Sequence, residues 1–209
     1  MTPQPFPRRF TGALVALSLC GSFAAAHAQA PTPPATPGAG QPAPLTSLPE
    51  LQIQPYLGTW YQVAWFPNRF QRQCVSDTSA TYALKPNGRL EVRNRCRQAD
   101  GRMDEALGEA RPVQPAVDGV LRPAQLRVSF LPAWLRWLPV GEGDYWVIQR
   151  ADDGRYAVIS EPTRRYLWVL SRTPKLSADD ETAIRSRLQT QGFDLSAWTA
   201  HAHGTAGTR

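Results

Sequence analysis

Histidine is nearly missing from this 209-residue chain: His27 stands near the N-terminus, His201 and His203 near the C-terminus, and none lies between Leu48 and Trp198. That interval therefore holds no Ser-His or Cys-His nucleophilic pair and no histidine-ligated haem. The carboxylate pairs Asp104-Glu105 and Asp152-Asp153 fall on an alternating strand and in a turn, where solvated charge explains them. The formal net charge is +6, yet no run of Lys or Arg is dense enough for a nucleic-acid surface, so the chain reads as mildly basic. These absences leave no catalytic set, no metal site and no cofactor to assign, and a non-enzyme is expected. "HAH" at 201–203 could touch a metal, but two histidines on a frayed end are weak evidence for one.

The N-terminus carries a targeting pattern. Arg8 and Arg9 precede the apolar run "GALVALSLCGSFAAA", which is shorter than the roughly 20 residues of a membrane span. Small-residue cleavage sites follow at "AHA" and "AQA". A secretory signal over residues 1–28 is expected, placing the mature protein in the periplasm. Cys20, in "LSLC", offers a second outcome, lipidation and anchoring to the outer membrane. The bulky Leu19 before it argues for simple cleavage. Residues 29–47, with "PTPPATPGAGQPAP", form a proline-rich tether.

The folded domain is expected over 48–200, with a disordered tail at 201–209. Short β-branched and aromatic segments recur with turn residues between them. Strands are read at 58–66, 75–84, 89–97, 103–111, 125–130, 144–150, 155–160 and 166–171. "KPNGR" and "ADDGR" are hairpin turns in which Gly supplies a positive φ. Such short links give antiparallel neighbours, and an all-β, eight-stranded up-and-down barrel is the simplest topology. One C-terminal helix follows, with Ser177 as N-cap, acids in its first turn and Gly192 past its end. Its stripe of Ala183, Ile184 and Leu188 must lie on the outside of the sheet. In "YLGTWYQVAWF" (56–66) both faces of a strand are apolar; the helix covers one and a barrel interior the other.

Gly58-Thr59-Trp60-Tyr61 resembles the G-x-W motif of lipocalins, Gly143-Asp144-Tyr145 their second motif, and Arg172 in "YLWVLSRTP" the arginine of the third. The wording is most similar to the bacterial outer-membrane lipocalins. The resemblance implies the lipocalin (calycin) barrel, with Gly58, Trp60, Asp144, Tyr145 and Arg172 structural, and fatty acids or lysophospholipids as ligands stored or transported in the cell envelope. Physically, Trp60 would plug the closed end under the Arg172 guanidinium.

Parity with Trp60 places Gln62, Ala64 and Phe66 in the cup on the first strand, and on the fifth the apolar set Leu126, Val128 and Phe130 is the candidate. For the sixth strand either Tyr145 and Val147 or Trp146 and Ile148 face in. For the eighth, Trp168 and Leu170 compete with Leu167 and Val169. Such walls suit a lipid or other small hydrophobic ligand held by a monomer or weak dimer. Trp134, Leu135, Trp137 and Leu138 lie in a mouth loop and either form an apolar lip, which could meet the outer-membrane surface, or fold back onto the barrel. A Cys74–Cys96 disulfide is expected in an oxidising compartment. Pairing Leu84 with Arg89, however, offsets the two by about three residues, or ~10 Å, against the ~7 Å a bridge allows. A bulge or a curling loop must close that gap, and a reactive thiol is the alternative. An enzyme on the same barrel, or a filled barrel with a structural role, are the competing functional readings.

Overall fold

Alternating apolar residues and Gly-containing turns fold most of this chain into strands, described in the computed structural model for residues 42–135 and 141–204. The elements are β1 (Leu51–Gln52), β2 (Gly58–Trp65), β3 (Ser76–Leu84), β4 (Leu90–Arg97), β5 (Met103–Pro112), β6 (Val120–Leu121), β7 (Gln125–Ser129), β8 (Glu142–Arg150), β9 (Tyr156–Ser160), β10 (Leu167–Ser171), α1 (Ala178–Thr190) and β11 (Thr199–Ala200). All eight expected strands are present, each end within two residues of its sequence-based bound. They pair antiparallel in the order β2-β3-β4-β5-β7-β8-β9-β10, and β10 returns to β2 and closes the barrel. The signal segment, Cys20 and the mouth residues Trp137 and Leu138 lie outside the described residues.

Strand direction defines a floor and a mouth. At the floor Trp60 is wholly buried, and its indole N–H donates to the Tyr56 carbonyl at 2.8 Å. The Arg172 guanidinium carbon sits 3.7 Å from the indole centroid. Arg172 also donates to the carbonyls of Thr59, Pro55 and Leu57 at 2.8, 2.7 and 2.9 Å. One cation thus satisfies three carbonyls of the entering chain and clamps the indole. Leu51, Ile53 and Tyr56 pack beneath as the seal, held by pairing of β1 with β6. These two short strands were not legible in the sequence.

The helix covers the other side of β2. Ser177 caps it by accepting the Asp180 N–H at 3.1 Å, and the Asp180 carboxylate is gripped by Arg155 at 2.6 and 2.9 Å. Ile184 and Leu188 are fully buried, in one cluster with Val158, Leu167 and Val169. Gly192 ends the element at φ +80, and a Cβ there would come within 2.4 Å of Pro42. Only glycine fits both the left-handed turn and that approach.

Three expectations are corrected. Ala64 and Phe66 face the helix rather than the cup, clustering with Ile184 and Leu188. The cause is a bulge: across the single step from Val169 to Leu170, β2 advances from Ala64 to Gln62 and inserts Val63, which inverts the parity beyond it. The tether does not run to residue 47, since Leu45 is buried in the helix-side cluster and Arg164 donates to the Ala43 carbonyl. Nor is the tail disordered over 201–204. β11 pairs with β2, the His201 N–H donates to the Val63 carbonyl at 2.9 Å and the Asp77 N–H to the Ala202 carbonyl at 2.9 Å. A second bulge lies on β3 between Ser76 and Ser79. It parts β2 from β3 beyond the Tyr61–Ser79 pair, and the tail supplies the ladder partners the gap leaves open.

Arg172→Ala removes the stack and three charge-assisted hydrogen bonds, and should cost about 3 kcal/mol. For a domain of this size that is ~6–12 °C of melting temperature. Arg172→Lys should recover only part, because an ammonium cannot lie flat on an indole and reach three carbonyls. Thermal melts of the two variants check both outcomes.

Candidate functional site

Register gives the interior wall. Trp60 pairs with Ala80, Leu126 with Tyr145, Val128 with Gly143, Val92 with Gly108 and Ile159 with Trp168. Near the floor the inward side chains are sealed: Trp60, Leu126, Val147 and Ile159 have at most 1% of their surface exposed. Toward the mouth the same face opens. Val128, Tyr145, Trp168 and Asn94 are half-buried, while Gly143 and Ala106 are exposed. Inward-facing groups that solvent reaches, above inward-facing groups that it does not, describe a cup with a packed base.

The buried polar groups between the base and the mouth of this interior are hydroxyls and carboxamides, which carry no charge. The Tyr145 hydroxyl lies 2.5 Å from that of Tyr56 and 2.9 Å from that of Tyr82. Burial raises all three pKa values, that of Tyr82 to about 12, so the hydroxyls stay protonated. Three protons serve two hydrogen bonds, which leaves one O–H to spare. Higher up, the Trp168 indole donates to Gln71 Oε1 at 2.8 Å, and Gln71 Nε2 donates to Gln62 Oε1 at 2.8 Å. Because indole only donates, the orientation of both carboxamides is fixed. Gln62 is 2% exposed, and its Nε2 has no partner.

The mouth is built by two loops. The turn Arg69–Gln71, capped by Asn68 accepting the Phe70 N–H at 3.0 Å, carries Gln71 inward and leaves Phe70 55% exposed. The Cys74–Cys96 disulfide, with Cα atoms 5.4 Å apart, ties this loop to β4. Leu84 pairs with Leu90, not Arg89, and β3 carries an extra residue at its bulge. Cys74 lies past the strand in a turn closed onto the Gln71 carbonyl, so loop curvature removes the offset that straight strands imply. On the other loop Trp134, in the turn Ala133–Leu135, is 73% exposed and Leu135 is half-buried. The Phe130 ring lies across β5 because residue 108 has no side chain; a Cβ there would meet the ring at 2.7 Å.

The structure therefore brings Gln62, Leu126, Val128, Tyr145, Val147 and Trp168 into one interior, with Leu126 and Val147 in its sealed base and Phe130 at the rim. On β8 it selects Tyr145 and Val147 over Trp146 and Ile148. On β10 it selects Trp168 and Leu170, leaving Leu167 and Val169 to the helix. Gly143 and Asp144 lie near the mouth end of β8, where Asp144 pairs outward with Arg127 at 3.2 Å. Only Tyr145 of that triplet reaches the floor, through its hydroxyl. Sequence reasoning missed Tyr56, Gln71, Thr78 and Tyr82. The alternation of β3 points Thr78, Ala80 and Tyr82 to one side and held that signal; Gln71, in a loop, offered none.

A family model described as a lipocalin-like domain matches residues 51–203. The chain is 37% identical over 147 residues to temperature-induced lipocalin-1 of Arabidopsis thaliana, covering 70% of this chain and 76% of that protein. It is 32% identical over 176 residues to the outer membrane lipoprotein Blc of Escherichia coli K12, covering 84% and 88%. Among solved structures, insecticyanin from the tobacco hornworm Manduca sexta superposes with a TM-score of 0.61 at 17% identity, over 78% of this chain and 86% of that one. Closed by eight strands, floored by Trp60 and Arg172, this chain belongs to the lipocalin family, whose members generally bind small hydrophobic ligands.

The tail beside this site titrates in an unusual range. His201 Nε2 accepts the Thr78 N–H at 3.3 Å, and His203 Nε2 donates to the Gln62 carbonyl at 2.8 Å. Burial, then the neighbouring His203, push the His201 pKa down to about 4. The unfolded chain takes this proton near pH 6.5 and the folded one does not. The contribution to stability is therefore whole above about 6.5 and is lost as pH falls from there toward 4. Melting temperature should drop across that window, and less steeply in His201→Gln. Equal slopes would assign the loss to carboxylates elsewhere.

Proposed function

We propose that this lipocalin binds and stores or transports single-chain lipids, fatty acids and lysophospholipids among them, in the bacterial cell envelope, and that it catalyses no reaction. The observation that carries this is the exposure of the barrel's inner face, where Val128, Tyr145 and Trp168 face inward yet remain reachable by solvent above a closed base. Burying fifteen methylenes is worth about 12 kcal/mol at ~0.8 kcal/mol each. Association costs of ~4 kcal/mol or more leave affinities of micromolar order. The similarity to an outer membrane lipoprotein and the signal-like N-terminus support an envelope location, with Cys20 as the anchor if it is acylated. Phe70 and Trp134 at the mouth, with Arg69 and Arg72 on the same loop as Phe70, suit brief contact of a monomer or weak dimer with an anionic membrane surface.

The packed lower half favours a second reading, a structural barrel that holds nothing. Native mass spectrometry of the purified protein, followed by lipid extraction, separates the two. A co-purifying acyl lipid of matching mass is expected, and bare protein that also takes up no added lipid would leave the structural role. Trp134→Ser should weaken binding to anionic vesicles severalfold in a sedimentation assay and leave the melting temperature unchanged, because its ring touches little of the barrel.

A further inference from the structure

Within the carrier reading, the interior itself specifies which head chemistry it accepts. Gln62 ends a one-way chain: Trp168 donates to Gln71 and Gln71 to Gln62, so the Gln62 NH2 is left pointing onward, without a partner. Gln62 follows and Thr78 precedes the last β2–β3 pair, Tyr61 and Ser79, on the parity of Trp60 and Ala80, at the point where the two strands begin to part. The Thr78 hydroxyl, on a residue 6% exposed, also has no partner. Two unsatisfied buried donors on one stretch of wall are rare in a folded protein and call for an acceptor that arrives from outside. Among the described residues, the one cation at an inward position of the barrel strands is Arg150, opposite Ala157 at the very base; from Trp60 up to the mouth the inward positions hold no Lys, Arg or His. Nothing there would neutralise an anion stripped of water.

We propose that Gln62 and Thr78 form a polar anchor for the carbonyl of a neutral acyl group, an ester above all, and that an ionised carboxylate is discriminated against at this point. The Gln62 amide and the Thr78 hydroxyl donate to the carbonyl oxygen, the acyl chain lies along Val128, Tyr145 and Trp168, and Gln71, on its half-exposed turn, is the side chain that yields to admit it.

Isothermal titration of the purified full chain with 1-monopalmitoylglycerol and with palmitate at pH 8 tests this. The glyceride should bind at least tenfold tighter. Lowering the pH to 5, where palmitate begins to protonate, should tighten palmitate severalfold and leave the glyceride unchanged. In Gln62→Leu the preference should shrink below threefold. Palmitate binding as tightly as the glyceride at pH 8, or a glyceride affinity untouched by Gln62→Leu, would remove the anchor and leave the carrier standing. Binding of neither lipid would remove both. Should Gln62→Leu fail to fold, the pH series on the unaltered protein decides.

Discussion

One contact organises this molecule: the guanidinium of Arg172 against the indole of Trp60. The floor is arranged to hold a half-buried cation flat on a fully buried indole. Three carbonyls from the 55–59 segment accept from it, and the segment is thereby bent into the turn that brings Tyr56 under the indole. The first and last barrel strands are thus joined twice, by their own ladder and by this clamp. A closed barrel has no edge to protect, and its closing seam is where the clamp sits. A packed base also lets the upper half do without packing of its own.

The two ends follow different physics. Below, Leu126, Val147, Ile159 and Trp60 fill space as a core does, and stability comes from buried area. Above, Gly143 and Ala106 leave room, while tyrosine hydroxyls and glutamine amides line the wall without charge. Such a wall tolerates an apolar guest better than an ionic one, because most of its dipoles already have a neighbour and those left over, the Gln62 amide and the Thr78 hydroxyl, can donate. The disulfide contributes by holding the 66–75 loop over the opening, so that Gln71 reaches the interior from a segment with little regular structure.

The barrel, its strand bounds within two residues, the outer helix and the Trp60–Arg172 pair were legible in the sequence, because each leaves a local trace: alternation, turn residues, a cap, a motif. What was not legible came from irregularity. Val63 is an ordinary strand residue to the eye, yet its insertion turns Ala64 and Phe66 toward the helix. Asp77, held at φ +56 in a bulge, opens the gap that recruits His201 to the wall, which no count of apolar residues would reveal. Leu45 and Leu51 are too isolated to look like structure, although they close the helix-side core and the floor. Alternation fixes which side chains share a face only until a bulge intervenes, and bulges depend on partners far along the chain.

The central claim is that the upper barrel is a hollow that takes an acyl chain. A crystal of the protein grown with a lipid brominated along its chain tests it directly. Anomalous bromine peaks should appear inside the barrel, between Val128, Tyr145 and Trp168 and above Trp60. Bromine found only against the outer surface, with the interior closed by side chains up to the rim, would contradict the claim.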